Sequence, residues 1–198
     1  MNETEERIIQ VAKELFIKNG YDNTSMSEIA QKLEMNRPTL HYYFRTKEKM
    51  FQAVAGSIFK LVIPNAMSIL TGDLTFFEKI EKIITCYQDA LKKNPDFIFF
   101  ILTECRRDLN KVREIISTQD FIPYIFEFTK IARAEMDSGR IKSVPLEFLG
   151  LQIISQTIFP FLMKPIAVEV LFDNEEFYNE FLDSWRGHIM NELKAMLL

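Results

Sequence analysis

The sequence predicts an all-α fold of about nine helices. Of its 198 residues, 47% are hydrophobic, which is enough to fill a sizeable core. Apolar residues recur at helical spacing, and the chain lacks the long alternating runs rich in Val and Thr that indicate strands. We therefore expect an N-terminal three-helix domain over residues 1–47 and a larger helical domain over residues 48–198.

The first predicted helix has one buried face and a clear end. Asn19-Gly20 is a pair that commonly stops a helix, because glycine adopts the left-handed conformation at low cost. The buried face is formed by residues spaced i, i+3, i+4, i+7 and i+8, namely Ile8, Val11, Ala12, Leu15 and Phe16.

Two short helices follow. Ser25 and Glu28 have the capping-box spacing, in which each side chain satisfies a backbone N–H group of the other residue. A second helix therefore begins here, and it ends near Glu34. Asn36 is suited to cap a third helix, with Pro38 in the first turn, where a missing N–H group costs little.

The remaining chain reads as six more helices. Thr46 is suited to cap a long fourth helix, which Pro64 should end or kink because proline removes a helix hydrogen bond. The other five are expected at residues 75–93, 95–107, 110–138, 145–171 and 174–197.

Charge is distributed unevenly along the chain. The net charge is −4, which does not by itself suggest a nucleic-acid partner. Residues 36–49, however, contain four Arg or Lys and a single Glu, a local charge of +3, so the remainder carries −7. A small basic surface on an acidic body favours a compact DNA-contacting module joined to a domain with another role.

The third helix has the side chains that such a module needs. Leu40 and Phe44 turn inward at i, i+4, and two short helices joined by a turn form the helix-turn-helix geometry that enters a major groove. Arg37 could bond guanine O6 and N7, while Pro38 and Thr39 could contact thymine methyls. The side chains expected at phosphate oxygens are Ser25, Ser27, Tyr42, Tyr43 and Lys47.

Two segments, TSMSEIA at residues 24–30 and TLHYYFRTKE at residues 39–48, resemble the TetR family of bacterial transcriptional regulators. The resemblance covers roughly residues 5–55. His41 stands where the family commonly has tyrosine. The resemblance implies that bases are faced by Arg37, Thr39 and His41, and phosphates by Tyr42, Tyr43 and Lys47.

One position departs from the family pattern. Glu34 occupies the turn between the second and third helices, where the family commonly has glycine. A residue other than glycine at positive φ costs about 1 kcal/mol, so a rearranged turn and a changed set of base contacts are possible outcomes. We expect the Glu34 carboxylate to point into solvent, because it would repel a nearby phosphate.

The larger domain is the candidate site for an effector. Residues 75–171 are rich in Phe, Ile, Leu and Met, and the resemblance implies a pocket here for a small hydrophobic or aromatic molecule. Arg106 or Arg107 could pair with Glu104 or meet an anionic effector. The candidate lining residues are polar ones on otherwise apolar helices: Tyr87, Glu104, Tyr124 and Gln156.

The last two predicted helices have broader apolar faces than one small domain needs. The resemblance implies that they pack against a second copy as a four-helix interface. A homodimer would present two recognition helices about 34–36 Å apart, or a multiple of that, to a near-palindromic double-stranded operator. The faces are Ile153, Ile154, Ile158, Phe161 and Leu162 on one helix, and Phe181, Leu182, Trp185, Ile189, Leu193 and Met196 on the other.

No catalytic, metal-binding or cofactor-binding pattern is expected. His41 and His188 are the two histidines, in different predicted domains, and helical spacing typical of a metal site is absent. Cys86 and Cys105 lack paired spacing and are expected in the core. The acidic start has no signal-peptide pattern and the apolar runs are short for a membrane span. We expect a cytoplasmic protein, located at the nucleoid when bound to DNA.

The function expected from these observations is a homodimeric transcriptional regulator, a repressor that an effector releases from its operator. The coupling would run through the fourth helix. Two alternatives remain open at this point. One is a regulator without a small-molecule effector, controlled by a protein partner or by abundance. The other is an all-helical enzyme or carrier that retains the N-terminal module.

Overall fold

The computed structural model describes residues 2–110, 113, 121–172 and 174–198, and leaves out the side chains of residues 58–61 and 105. Within these ranges the chain forms nine α-helices and no strand, so the predicted all-α class is confirmed. The helices are α1 Glu3–Asn19, α2 Met26–Lys32, α3 Arg37–Tyr43, α4 Lys47–Thr71, α5 Phe76–Lys93, α6 Phe97–Arg107, α7 Phe121–Asp137, α8 Leu146–Val170 and α9 Glu175–Leu197.

The chain divides into two compact units. Unit 1 comprises Met1–Leu61 and Phe99–Asp120, and unit 2 comprises Val62–Ile98 and Phe121–Leu198. Both α4 and α6 therefore contribute residues to each unit. The domain boundary after residue 47 stays a prediction.

In unit 1 the predicted helix ends are confirmed by their capping bonds. Gly20, at φ 80°, ends α1, and its N–H donates to the Phe16 carbonyl oxygen. Ser25 and Glu28 form the reciprocal capping box of α2. The Asn36 side chain caps α3 by accepting from the Thr39 N–H. The three helices bury a shared apolar core that includes Ile8, Ala12, Leu15, Phe16, Ile29, Ala30 and Leu40.

The turn after α2 retains a left-handed residue even though it is not glycine. Glu34 has φ 54° and is exposed, as expected for its carboxylate. The Met35 N–H donates to the Ala30 carbonyl oxygen at 2.9 Å, and the Glu34 N–H donates to that of Gln31 at 3.0 Å. These two bonds form a Schellman motif, which satisfies carbonyls at the helix end and offsets the strain at Glu34.

Unit 2 is built on the packing of α5, α8 and α9. Phe76, Ile80 and Ile84 follow one another at every fourth residue of α5 and join a buried cluster with Leu149 of α8 and Ile189 of α9. A second buried cluster lies further along the same helices: Leu91, Phe161, Ala167, Tyr178 and Leu182. The core thus runs along α5, between it and the last two helices.

Most of the residues predicted to face a second copy instead fill or flank this core, so that part of the prediction was wrong; Ile154 is exposed and Leu162 is half-buried. Phe161, Leu182, Ile189 and Leu193 are buried within the chain. Ile153, Ile158, Phe181, Trp185 and Met196 pack against the buried clusters. A different side of α8 is exposed, and we call it the apolar stripe: Phe148, Leu151, Phe159, Ile166 and Val170.

Three further expectations about the helices need comment. Pro64 does not end α4, which continues to Thr71, and the alternative of a kink at Pro64 stays a prediction. The beginning of the helix predicted at residues 110–138 lies mostly outside the described residues, and α7 covers its second half. Contrary to the expectation of no such segment, α8 is long and apolar enough to cross a membrane by length and composition alone, with a mean hydropathy of 1.4.

Candidate functional site

The candidate recognition helix α3 is only seven residues long and is held from beneath by Leu40. A helix this short is marginal by itself, so its cap, its proline near the start and its buried leucine maintain it. The side chains predicted to contact DNA remain outside the core: Arg37, Pro38, Thr39 and Tyr42 are exposed, whereas His41 and Tyr43 are half-buried.

His41 is engaged on both sides of its ring. The Arg37 Nε–H donates to His41 Nε2 across 3.4 Å. His41 Nδ1 lies 3.1 Å from the carbonyl oxygen of Arg45. One imidazole therefore joins the first turn of α3 to the loop that follows the helix.

Thr39 also makes hydrogen bonds within the protein. Its hydroxyl donates to Asn36 Oδ1 at 2.7 Å, and its backbone N–H donates to the same oxygen at 2.8 Å. With the hydroxyl hydrogen used in the cap, the threonine can offer DNA its methyl group and an acceptor oxygen. The methyl group suits the thymine contact predicted for this position.

Hydroxyl groups flank α3 where phosphates are expected. Ser25 and Ser27 are exposed at the start of α2, although the Ser25 oxygen already accepts from the Glu28 N–H at 3.1 Å. Tyr42 is 84% exposed, and its ring packs edge-on against Tyr43 with centroids 5.4 Å apart. An exposed tyrosine braced by its neighbour is well suited to a polar backbone contact.

Lys47 has a structural contact as well as a predicted DNA contact. Its ammonium donates to the Asp22 carbonyl oxygen at 3.1 Å and lies 4.3 Å from the centroid of the Tyr21 ring. An ammonium has three hydrogens, so this bond alone does not use all of its donors. The lysine thus holds the loop between α1 and α2 in place beside the start of α4.

Glu104, predicted to line an effector pocket, lies instead in unit 1 and is 3% exposed. Its Oε1 accepts from the Tyr21 N–H at 3.4 Å and from Arg107 Nη1 at 3.3 Å, so of the alternatives for Arg106 and Arg107 the structure shows Arg107 paired with Glu104. Arg107 also pairs with Asp22. These contacts fix the end of α6 against the loop that follows α1.

Tyr21 is the buried centre of this group. Its hydroxyl donates to Glu48 Oε1 at 2.8 Å. Burial, and secondly this hydrogen bond to a carboxylate, raises the pKa of the Tyr21 phenol well above its usual range. The phenol therefore stays neutral and keeps its hydrogen bond at physiological pH.

Unit 2 contains an apolar cavity of about 390 Å³ between α5, α7 and α8. This volume falls in the range of small-molecule sites, which are mostly apolar with few polar groups. Ile80, Ile84, Phe128, Ile153 and Ile158 are among the lining residues. Polar groups on the wall come from Tyr87, Tyr124, Thr129 and Thr157, and the exposed side chains of Arg133 and Glu147 add charges at the solvent side.

Of the four predicted lining residues, the cavity brings together Tyr87 and Tyr124. Burial raises the pKa of both phenols. Both hydroxyls therefore stay neutral, and each keeps a hydrogen that it could donate to a bound molecule. Glu104 and Gln156 are not among the lining residues.

Two glutamines carry buried polar atoms without partners. Gln88, 1% exposed, has neither its Nε2 nor its Oε1 hydrogen-bonded among the described residues, and the same holds for Gln156 Oε1. Gln88 follows Tyr87 and lies one turn after Ile84, two lining residues. Gln88 was not among the predicted lining residues, although it is a polar residue that interrupts an apolar face of α5.

A metal site has no support within the described ranges, where no group of three or more His, Cys, Asp or Glu could hold an ion. Cys86 is free and half-buried. The side chain of Cys105 lies outside the described part of the chain.

Comparison with known proteins agrees with the helix-turn-helix geometry. A family model described as "Bacterial regulatory proteins, tetR family" matches residues 8–54. The HTH-type transcriptional regulator QacR of Staphylococcus aureus is 50% identical over 46 residues, 23% of this chain and 24% of that protein. The chain thus matches about a quarter of QacR. The "Probable HTH-type transcriptional regulator YttP" of Bacillus subtilis is 25% identical over 85% of this chain and 82% of its own.

Solved structures share the whole fold. A transcriptional regulator of the TetR/AcrR family from Thermobifida fusca has a TM-score of 0.68 at 21% identity, covering 96% of this chain and 98% of its own. The fatty acid degradation regulator FadR of Bacillus halodurans has a TM-score of 0.72 at 12% identity, covering 96% of both chains. At these identities the likeness establishes the fold and leaves ligand and operator open.

Proposed function

We propose that the chain is a member of the TetR family, whose model matches residues 8–54, and that it is a homodimeric repressor whose operator binding is relieved by an apolar effector. The observation that carries the proposal is α3, a capped seven-residue helix that exposes Arg37, Thr39 and Tyr42 beside a local basic cluster. The relatives are transcriptional regulators, and such a protein acts in the cytoplasm.

DNA binding is divided between two sets of side chains. Arg37 and Thr39 would read base edges, with Pro38 contributing an apolar contact, because these residues lie on the exposed N-terminal turn of α3. The phosphate contacts proposed to set register come from Ser25, Ser27, Tyr42, Tyr43 and Lys47.

A second copy of the chain is the proposed occupant of the apolar stripe. Phe148, Leu151 and Phe159 are each more than half exposed, as are Ile166 and Val170 further along α8. Such a contiguous row on a soluble regulator marks an interaction surface. Two-fold pairing also supplies a second recognition helix. A helix of seven residues contacts too few base pairs to be specific by itself. This use of α8 accounts for its apolar length without a membrane.

The proposed effector site is the cavity of unit 2. Its wall is largely aliphatic and aromatic, which favours a hydrophobic or planar molecule bearing one polar group. Tyr87 and Tyr124 can donate to that group. We extend the site to Gln88, which is not itself a lining residue but follows Tyr87. Its buried amide has no hydrogen-bond partner among the described residues, and it offers both a donor and an acceptor. Since α4 has residues in both units, we propose that it transmits effector binding to the helix-turn-helix formed by α2 and α3.

Replacing Gln88 by leucine should raise the free energy of unfolding and at the same time reduce the thermal shift caused by an effector. A buried unpaired amide costs about 1–3 kcal/mol, so an apolar residue of similar size should raise the unfolding free energy by about 1 kcal/mol or more. Denaturant titration measures this gain. The same variant should lose the stabilisation that an effector, found by screening the wild type for ligand-induced thermal shifts, gives to the wild type.

The matched control is Leu91→Met, a volume-conserving change one turn further along the same buried face. It should leave the ligand-induced shift intact. If Gln88→Leu gains stability and keeps the full shift, Gln88 is not part of the effector site.

The proposed function as a whole is tested by mapping the chromosomal DNA crosslinked to the protein in cells. We expect a few sites near promoters that share a sequence, with transcription there rising when the protein is removed. Falling transcription would instead indicate an activator. Uniform recovery of all chromosomal DNA would contradict sequence-specific regulation.

A further inference from the structure

The two contacts of His41 fix which ring nitrogen carries hydrogen. A guanidinium donates and cannot accept, whereas a carbonyl oxygen accepts and cannot donate. Nε2, which faces the Arg37 Nε–H, must therefore present its lone pair. Nδ1, which faces the Arg45 carbonyl oxygen, must carry the hydrogen. Both contacts are satisfied together by one neutral tautomer.

This arrangement leaves the two Nη atoms of the Arg37 guanidinium available to bind a base. Of the five N–H donors of a guanidinium, the bond to His41 uses the one on Nε. The four on the two Nη atoms remain, and two parallel donors are what guanine O6 and N7 accept. Within the described residues Arg37 has no ion pair, so the imidazole is the contact that limits its rotation.

From these contacts we infer that His41 is a positioning residue, which orients Arg37 for base recognition and does not read a base itself. The inference rests on the proposed DNA-binding function. It also revises the role that family resemblance implies for this position, where His41 would face bases. Both ring nitrogens are already bonded within the protein, so a base contact would require breaking one of these bonds.

The benefit is a smaller loss of side-chain freedom on binding. A long side chain that is immobilised at an interface loses rotamer freedom, and prior restraint reduces that cost. Loss of the restraint should reduce discrimination between the preferred site and a site altered at the base pair read by Arg37 by about two- to tenfold.

The test is a double-mutant cycle on DNA. The duplex that the wild-type protein enriches from a random library serves as the preferred site, and single base-pair changes in it identify the pair that Arg37→Ala no longer discriminates. Affinities for the preferred and altered duplexes are then measured for the wild type, His41→Ala, Arg37→Ala and the double variant. We expect His41→Ala to reduce discrimination in the wild-type background and to leave it unchanged once Arg37 is alanine.

Two further variants distinguish positioning from general support of α3. His41→Gln keeps an acceptor at about the reach of Nε2 and should restore discrimination, whereas His41→Asn is too short and should not. An equal loss from His41→Ala in both backgrounds, or equal behaviour of the Gln and Asn variants, would overturn the positioning role. Failure of the wild type to enrich any sequence would overturn the proposed function, and this inference with it.

Discussion

Replacing Phe159 by glutamate should convert the protein into a monomer and abolish operator binding at concentrations where the wild type is fully bound. Phe159 is 59% exposed and lies in the middle of the apolar stripe. In a two-fold interface each substitution appears twice, so two carboxylates would be desolvated close together. Sedimentation velocity measures the mass, and gel retardation on the selected duplex measures the binding.

The matched control is Phe126→Glu. Phe126 is 68% exposed in unit 2, but it lies on α7, is not part of the apolar stripe of α8 and does not line the cavity. This variant should remain dimeric and bind the operator normally. A dimeric Phe159→Glu protein with unchanged operator affinity would show that the stripe has another use.

Arg37→Ala should weaken binding to the preferred operator by about 1–3 kcal/mol per half-site, because a bidentate contact to guanine is lost. Binding to random DNA should change far less. Arg37 is exposed and its contact with His41 lies on the surface, so the variant should fold normally. Competition titrations with preferred and random duplexes give both affinities.

The comparison variant for this prediction is Arg45→Ala. Arg45 is exposed in the loop after α3, and its carbonyl oxygen, which contacts His41, is unaffected by the substitution. Removing a charge near phosphates should weaken all duplexes equally and lower the salt slope by about one. Equal loss on preferred and random DNA for Arg37→Ala would refute its role as a base reader.

The ends of α2 and α3 were predictable because their capping residues are close together in the sequence. Ser25 with Glu28, and Asn36 with Thr39, form capping bonds within a few residues of one another, so the sequence specifies them directly. Glu34 shows the limit of this reasoning. The cost of a positive φ suggested a rearranged turn, but two backbone hydrogen bonds keep the left-handed geometry.

The exposed apolar side of α8 could not be predicted because α8 is apolar on several sides. Phe161 and Phe159 are equally hydrophobic and two residues apart, yet one is buried and the other exposed. Periodicity identifies an inward face only when the opposite face is polar. Long-range packing of α8 against α5 and α9 decides which side remains free.

The lining of the cavity in unit 2 was predicted in part for a related reason. Polar residues on apolar helices are recognisable in sequence, but their partners are not. Glu104 proved to be satisfied by Arg107 and the Tyr21 N–H, whereas Gln88 has no partner within the described part of the chain. Only the contacts of each side chain distinguish a structural polar group from one available to a ligand.

The central claim, a two-fold dimer that reads DNA through α3, is tested most directly by sequencing the duplexes that the purified protein enriches from a random library. We expect an inverted repeat whose half-site centres lie about 10–10.5 base pairs apart, or a multiple of that spacing. An enriched sequence without two-fold symmetry, or no enrichment at all, would contradict it.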